Sequence, residues 1–219
     1  MRLLHAFLLG ATTTVVSSAA LPEDGGLLRE PLEGYTIVPM QWSGTVDGED
    51  MNLEGTIEEV FAQIQAVKPD FDWTNTTELT EPEADLSTLD ARSPSNIICD
   101  VGGRGPMVQE ASMQRETDYL RRIANSQCGV AAGPRVCARV SCSSGDGIWL
   151  CNDTTSHLSR RCGIIPDYVW RIFGRCKSWV SSGVCPIRGC QYPEPGWYYA
   201  RGQQFDTENF NVIIGKDNC

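Results

Sequence analysis

Residues 133–153 read Gly133-Pro134-Arg135-Val136-Cys137-Ala138-Arg139-Val140-Ser141-Cys142-Ser143-Ser144-Gly145-Asp146-Gly147-Ile148-Trp149-Leu150-Cys151-Asn152-Asp153. Val136, Ala138, Val140 and Cys142 alternate with Cys137, Arg139 and Ser141. That period predicts a half-buried strand. Ser144-Gly145-Asp146-Gly147 supplies a turn, and Ile148 to Cys151 returns as the partner of a hairpin.

The elements on either side set the fold class. Upstream, a short strand is predicted over 95–101 and a helix within 106–126. Met113, Leu120, Ile123 and Ala124 share a face of that helix, and Gly129 can cap it. Downstream, Pro166 suits the first residue of a helix, with Asp167 behind it. Val169, Ile172, Phe173, Cys176 and Val180 line one face, and Gly183 can end the helix. The segment 184–196 reads as a loop rich in Cys and Pro, followed by strands over 197–201 and 210–214. Strands interleaved with helices in this order predict an α+β fold. The expected form is a two-layer sandwich: an antiparallel sheet with two helices on one face.

All ten cysteines lie after residue 92: Cys99, Cys128, Cys137, Cys142, Cys151, Cys162, Cys176, Cys185, Cys190 and Cys219. An even count in an oxidising compartment points to five bridges, each worth roughly 2 to 4 kcal/mol. Their pairing does not follow from order. No thiol nucleophile is then left over. The spacings Cys137-x4-Cys142 and Cys185-x4-Cys190 also fit zinc, but bridges suit a secreted chain better. No cofactor or metal is expected.

Charge divides at the same place. Residues 21–92 hold 17 acidic and 3 basic residues, and residues 93–219 hold 11 acidic and 14 basic ones. The net charge of −10 excludes a nucleic-acid partner on average, although the average hides this division. Residues 1–20 read as a secretory signal peptide: Arg2, an apolar run to about Val16, then Ser18, Ala19 and Ala20 for cleavage after Ala20. The apolar run is too short to span a bilayer. The mature product is expected outside the cell.

Residues 21–92 read as an acidic pro-region. Within it, 35–43 resembles a short strand broken by Pro39. Thr56 and Glu59 form a capping box before Ile57, Val60, Phe61, Ile64 and Val67, and Pro69 stops that helix. The apolar stripe must cover itself on the preceding strand or on the second unit. Residues 74–91 form a polar tether leading to Arg92, a candidate processing site. The alternative is an uncut linker. A strongly acidic segment tied to a basic domain (93–219) would shield it and assist its folding.

Candidate chemistry is sparse. His157 is the one histidine after residue 92, and with a carboxylate such as Asp153 it could serve acid–base catalysis. An exposed loop histidine is the plainer reading. There is no Gly-x-Ser-x-Gly elbow and no His-Glu-x-x-His motif. Asn75 and Asn152 head glycosylation sequons. The pairs Arg121-Arg122 and Arg160-Arg161 are the densest cations, and arginine anchors interfaces or meets anionic lipids and glycans.

A signal peptide, an acidic pro-region, Leu89-x-x-Arg92 and a basic cysteine-rich domain together resemble fungal small secreted effectors. The stretch 133–142 followed by Ile148-Trp149-Leu150-Cys151-Asn152-Asp153 is similar to uncharacterised fungal secreted proteins, and Gly55-Thr56-Ile57-Glu58-Glu59-Val60 is similar to the helix start of fungal pro-regions. The order of elements resembles killer-toxin-like and necrosis-inducing effectors, which share a two-layer α/β sandwich. The resemblance implies a virulence factor that binds a host protein, glycan or membrane component, with its own pro-region as a further partner. A toxin acting on competitor cells and a secreted ribonuclease-like enzyme are the alternatives.

Overall fold

The hairpin at 136–152 sits inside the largest sheet of the computed structural model, which describes residue 32 and residues 34–72, 94–99, 107–180 and 196–219. In chain order the elements are β1 (Thr36–Pro39), β2 (Gln41–Val46), β3 (Glu49–Glu54), α1 (Ile57–Val67), β4 (Pro94–Ile98), β5 (Val108–Gln109), α2 (Glu110–Arg122), β6 (Gln127–Val130) and β7 (Val136–Ser143). Then come β8 (Asp146–Asn152), β9 (Leu158–Arg161), a 3-10 turn (Cys162–Ile164), α3 (Ile165–Cys176), β10 (Ser178–Val180), β11 (Trp197–Ala200), β12 (Gly202–Asp206) and β13 (Phe210–Lys216). The described chain is thus a mixed α+β fold. Residues 1–20, Asn75, Arg92, Gly183, Cys185 and Cys190 lie outside the described residues.

The six-stranded sheet has the order β1-β7-β8-β13-β12-β4. Its neighbours run antiparallel except β1 and β7, which are parallel with Thr36 opposite Val136. A four-stranded sheet, β3-β2-β6-β9, and a three-stranded one, β10-β11-β5, complete the strands. Two tight hairpins rest on two-residue turns with positive φ at both positions, Asp47-Gly48 and Ser144-Gly145. Such turns match the twist of the strands they join.

The capping box of α1 is present: Thr56 N donates to Glu59 Oε2 at 2.7 Å, and Glu59 N donates to Thr56 Oγ1 at 3.4 Å. At the other end, Lys68 donates to Val46 O at 3.0 Å and pairs with Glu49 at 3.1 Å, tying the helix to the β2–β3 turn. Except for Val67, which is exposed at the end of α1, the apolar stripe finds both of its expected partners. Met40, Trp42, Val46, Ile57, Val60 and Ile64 are buried in one cluster with Met113, Leu120, Val140, Leu150, Val169, Ile172, Phe173 and Val212. The opposite face of the large sheet is covered too: Leu32 and Tyr35 pack on Cys137, Trp149, Cys151 and Ile213. The change of charge and cysteine content near residue 92 is therefore not a packing boundary.

Among the described residues, four disulfides join Cys99 to Cys176, Cys128 to Cys162, Cys137 to Cys151 and Cys142 to Cys219. All join residues beyond position 92. Three of the expected boundaries differ, and β3, β6, β9 and β12 are not expected from sequence. α3 ends at Cys176, not near Gly183, because Lys177 turns extended (φ −65°, ψ 140°) and Ser178–Val180 pair with β11. Gly129 does not cap α2. That helix ends at Arg122, and Gly129 lies within β6. The hairpin turn is confined to 144–145, with Asp146 and Gly147 already in β8.

Candidate functional site

The outer face of the four-stranded sheet is polar by strict alternation. Trp42 and Cys128 point into the core, while Gln41 and Ser43 of β2, Asn52 and Glu54 of β3 and Gln127 of β6 face out. Together with His157 and Ser159, and with Trp42, Leu53 and Gly129 contributing apolar surface, they line a groove of about 440 Å³. A second hollow of about 440 Å³ shares Ser43, Asn52 and Gln127 with it and continues toward Thr45 and Ser126. The groove runs across both parts of the chain: β2 and β3 precede residue 92, and β6 and β9 follow it.

His157 Nε2 lies 2.8 Å from Gln41 Oε1, so with that oxygen as acceptor Nε2 carries the proton. Ser159 Oγ donates to Gln127 Oε1 at 3.1 Å. Gly129 makes the His157–Gln41 contact possible. A Cβ there would stand 3.0 Å from both Gln41 O and His157 Nε2. Rows of amides and hydroxyls spaced at about 4.8 Å, the distance between strands, offer matched donors and acceptors to a neutral polar ligand. Glu54 pairs in register with Gln41, so an imidazole and a carboxylate flank the same amide.

Beneath α1 lies a second cluster, which is buried. Ser141 Oγ and Cys142 N donate to Glu58. Glu116 on α2 is 1% exposed, and neither of its oxygens has a hydrogen-bond partner. Burial pushes the Glu116 carboxyl up to about 9. The charges of Glu58 and Asp146 add to the shift, and Ser141 and Arg115 oppose it. Glu116 is thus a neutral acid at pH 7. Asp146 is fixed by Lys216 and by the Gln109 amide. At the start of α3, burial raises Asp167 also, against the pull of Arg171 and Arg121.

The residues singled out from sequence do not converge. Arg121 pairs with Asp118 at 3.0 Å, and Arg122 is half-buried at the end of α2. Arg160 pairs with Glu208 at 2.8 Å and lies over the Phe210 ring, 5.0 Å from its centroid. Arg161, next along β9, is exposed opposite Gln127. Asp153 accepts from Asn211 Nδ2 at 2.8 Å, whereas Glu54 is the carboxylate that shares the groove with His157. Asn152 is fully buried, and its Nδ2, the atom a glycan would occupy, donates to Ala131 O and Ser156 O. Its Oδ1 accepts from the Thr154 amide and hydroxyl. Gln41, Gln127 and Glu54 were not singled out from sequence. Their signal is position on a strand, which appears only once β3 and β6 are paired. Comparisons of the chain with protein-family models, curated proteins and solved structures find no match.

Proposed function

We propose that this protein is a secreted effector that acts by binding a host target during infection, through the polar face of the four-stranded sheet. The observation that carries this reading is the groove itself. Its amide- and hydroxyl-rich walls come from two separate parts of the chain and suit recognition by hydrogen bonding. The four disulfides fit an oxidising, extracellular setting. Among the described residues no helix is long and apolar enough to cross a membrane. Residues 1–20 act as the signal peptide, and 21–92 as an acidic pro-region cut after Arg92. The cysteine-rich part belongs to the two-layer α/β sandwiches of fungal killer-toxin-like effectors.

The pro-region does more than shield. Through β1, β2, β3 and α1 it supplies half the groove and part of the core, so it stays bound after cleavage. Deleting the gene should weaken colonisation, and the wild-type protein should restore it. A Ser43→Arg/Gln127→Arg protein, secreted in equal amount with the groove filled, should not. Unchanged symptoms across several hosts, or full rescue by the filled groove, would overturn the proposal.

A second reading rests on His157 and Glu54 flanking Gln41: acid–base hydrolysis of a phosphodiester, as in a secreted ribonuclease. It predicts that His157→Ala and Glu54→Gln each abolish RNA cleavage by the purified protein. Retained cleavage in either variant ends it.

A further inference from the structure

The large sheet carries the charge division of the chain into space. The acid-rich segment enters it at β1, and β4 forms the opposite edge, five strand spacings or about 24 Å away. Two arginines stand beside β4, and a cation–aromatic cluster follows the end of α3. Arg171 and Arg175 of α3 line a hollow against Pro94, Asn96 and Ile97 of β4. The Cys99–Cys176 bridge ties the residue after β4 to the last residue of α3, with Cα atoms 5.2 Å apart. Lys177 Nζ sits over the Tyr198 ring, 4.6 Å from its centroid, and Trp179 meets the same ring edge-on at 4.9 Å. Trp179 is 56% exposed and Ile98 41%. Arg171, Arg175 and Lys177 are exposed as well. β4, β10 and β11 carry no acidic residue; the one acid of α3, Asp167, lies one turn before Arg171, whose charge pulls on it, and two turns before Arg175.

We propose that this edge, formed by β4, the C-terminal end of α3 and the β10–β11 pair, docks on the anionic surface of a lipid bilayer. Exposed Trp and Tyr rings suit the headgroup boundary, where an apolar ring body and a polar tip are both satisfied. Arg171, Arg175 and Lys177 supply the charge that an anionic leaflet attracts. A stacked sugar fits less well. The rings of Trp179 and Tyr198 are 69° apart, and Lys177 already occupies a face of Tyr198. The surface is separate from the polar groove and does not rest on the function proposed there.

The test mixes the whole secreted protein with vesicles of phosphatidylcholine alone or mixed with phosphatidylserine. Bound protein is measured by co-sedimentation, and tryptophan emission is followed. Binding is expected only with phosphatidylserine, with a blue shift, and it should weaken as salt rises. The Arg175→Gln/Lys177→Gln protein should bind about thirtyfold more weakly, from about a fivefold loss per cation. Trp179→Ala should lose most of the blue shift. All three side chains are exposed, and an unchanged melting temperature confirms that the variants fold. No binding to phosphatidylserine vesicles at low salt overturns the proposal. So does binding that ignores these substitutions, or binding to a soluble acidic polysaccharide with none to vesicles.

Discussion

The described residues of 94–219 and residues 34–67 are held in place by different means. The later part carries every cysteine, and its four described bridges staple strand to strand and strand to helix. The earlier part has no cysteine and no covalent tie to the rest beyond the chain itself. It holds by a parallel strand on β7, by β2 on β6, and by apolar side chains inserted into the common core. A bridge works mainly by restricting the unfolded chain, whereas burial works on the folded state. The comparison teaches that a segment can look expendable by charge and cysteine content and still be part of the core.

The most severe way to break the comparison is to remove the earlier segment. Burying one large apolar side chain contributes about 1.5 to 3 kcal/mol, and a whole domain is stable by only roughly 5 to 15 kcal/mol. Met40, Trp42, Ile57, Val60 and Ile64 are each almost wholly buried. Residues 93–219 produced alone should therefore lose cooperative thermal unfolding despite intact bridges, and adding residues 21–92 as a separate chain should restore it. Protein cut in the linker should elute as one species from gel filtration and separate only in denaturant. Residues 93–219 melting alone at the temperature of the whole protein would refute the shared core.

Single substitutions sharpen the contrast. Trp42→Ala, in the segment without cysteines, should cost about 3 to 5 kcal/mol by transfer and cavity formation. Removing the Cys142–Cys219 bridge, which closes 77 residues, should cost about 2 to 5 kcal/mol by loop entropy. Comparable losses in denaturant titrations would put core burial and cross-linking on one scale. A Trp42→Ala protein with unchanged stability would make the earlier segment peripheral. Asn152→Ala should cost about 1 to 3 kcal/mol by removing the donor to the partly buried Ala131 and Ser156 carbonyls. The intact mass of folded protein should show no glycan on Asn152. A glycan there in folded protein contradicts the buried Nδ2.

Much of this was legible where a local signal decides the backbone. Alternation at 136–142 gives β7, and Thr56 with Glu59 gives the start of α1, because each rests on neighbours within a few residues. The α3 boundary was not legible. The face of Val169, Ile172, Phe173 and Cys176 continues in helical register to Val180, and only pairing with the distant β11 turns Ser178–Val180 into a strand. β3 is acidic and β12 is polar, so hydropathy marks neither. β12 is interior because it pairs with β13 on one side and β4 on the other, and its buried Gln203 is satisfied by donating to Asn211 Oδ1 and to the Tyr35 hydroxyl. The groove depends on such pairings. Gln41, Glu54, Gln127 and His157 are far apart in sequence and meet only through register across β3, β2 and β6.

Read over a single pH unit, the smallest expected effect probes the seam between the two parts. Glu116 lies on the later side and Glu58 on the earlier, and the charge of Glu58 adds to the burial that raises Glu116 to about 9. A raised acid means that the folded state holds a proton that the unfolded state, at its ordinary value near 4.5, has released. The stability from this group is full below about pH 4.5 and declines as pH rises toward 9. The decline is about 1.4 kcal/mol for each pH unit inside that window. Glu116→Gln keeps the shape without the proton, so the gap between variant and wild type should widen by that amount from pH 6 to pH 7. Glu58→Gln removes the second-largest cause of the shift, so the slope should end at a lower pH while the rest of the curve is kept. A wild-type curve parallel to that of Glu116→Gln would mean that the carboxyl is not buried as described. An unchanged curve for Glu58→Gln would mean that α1 does not press its charge on α2, and the seam would then be held by apolar contact alone.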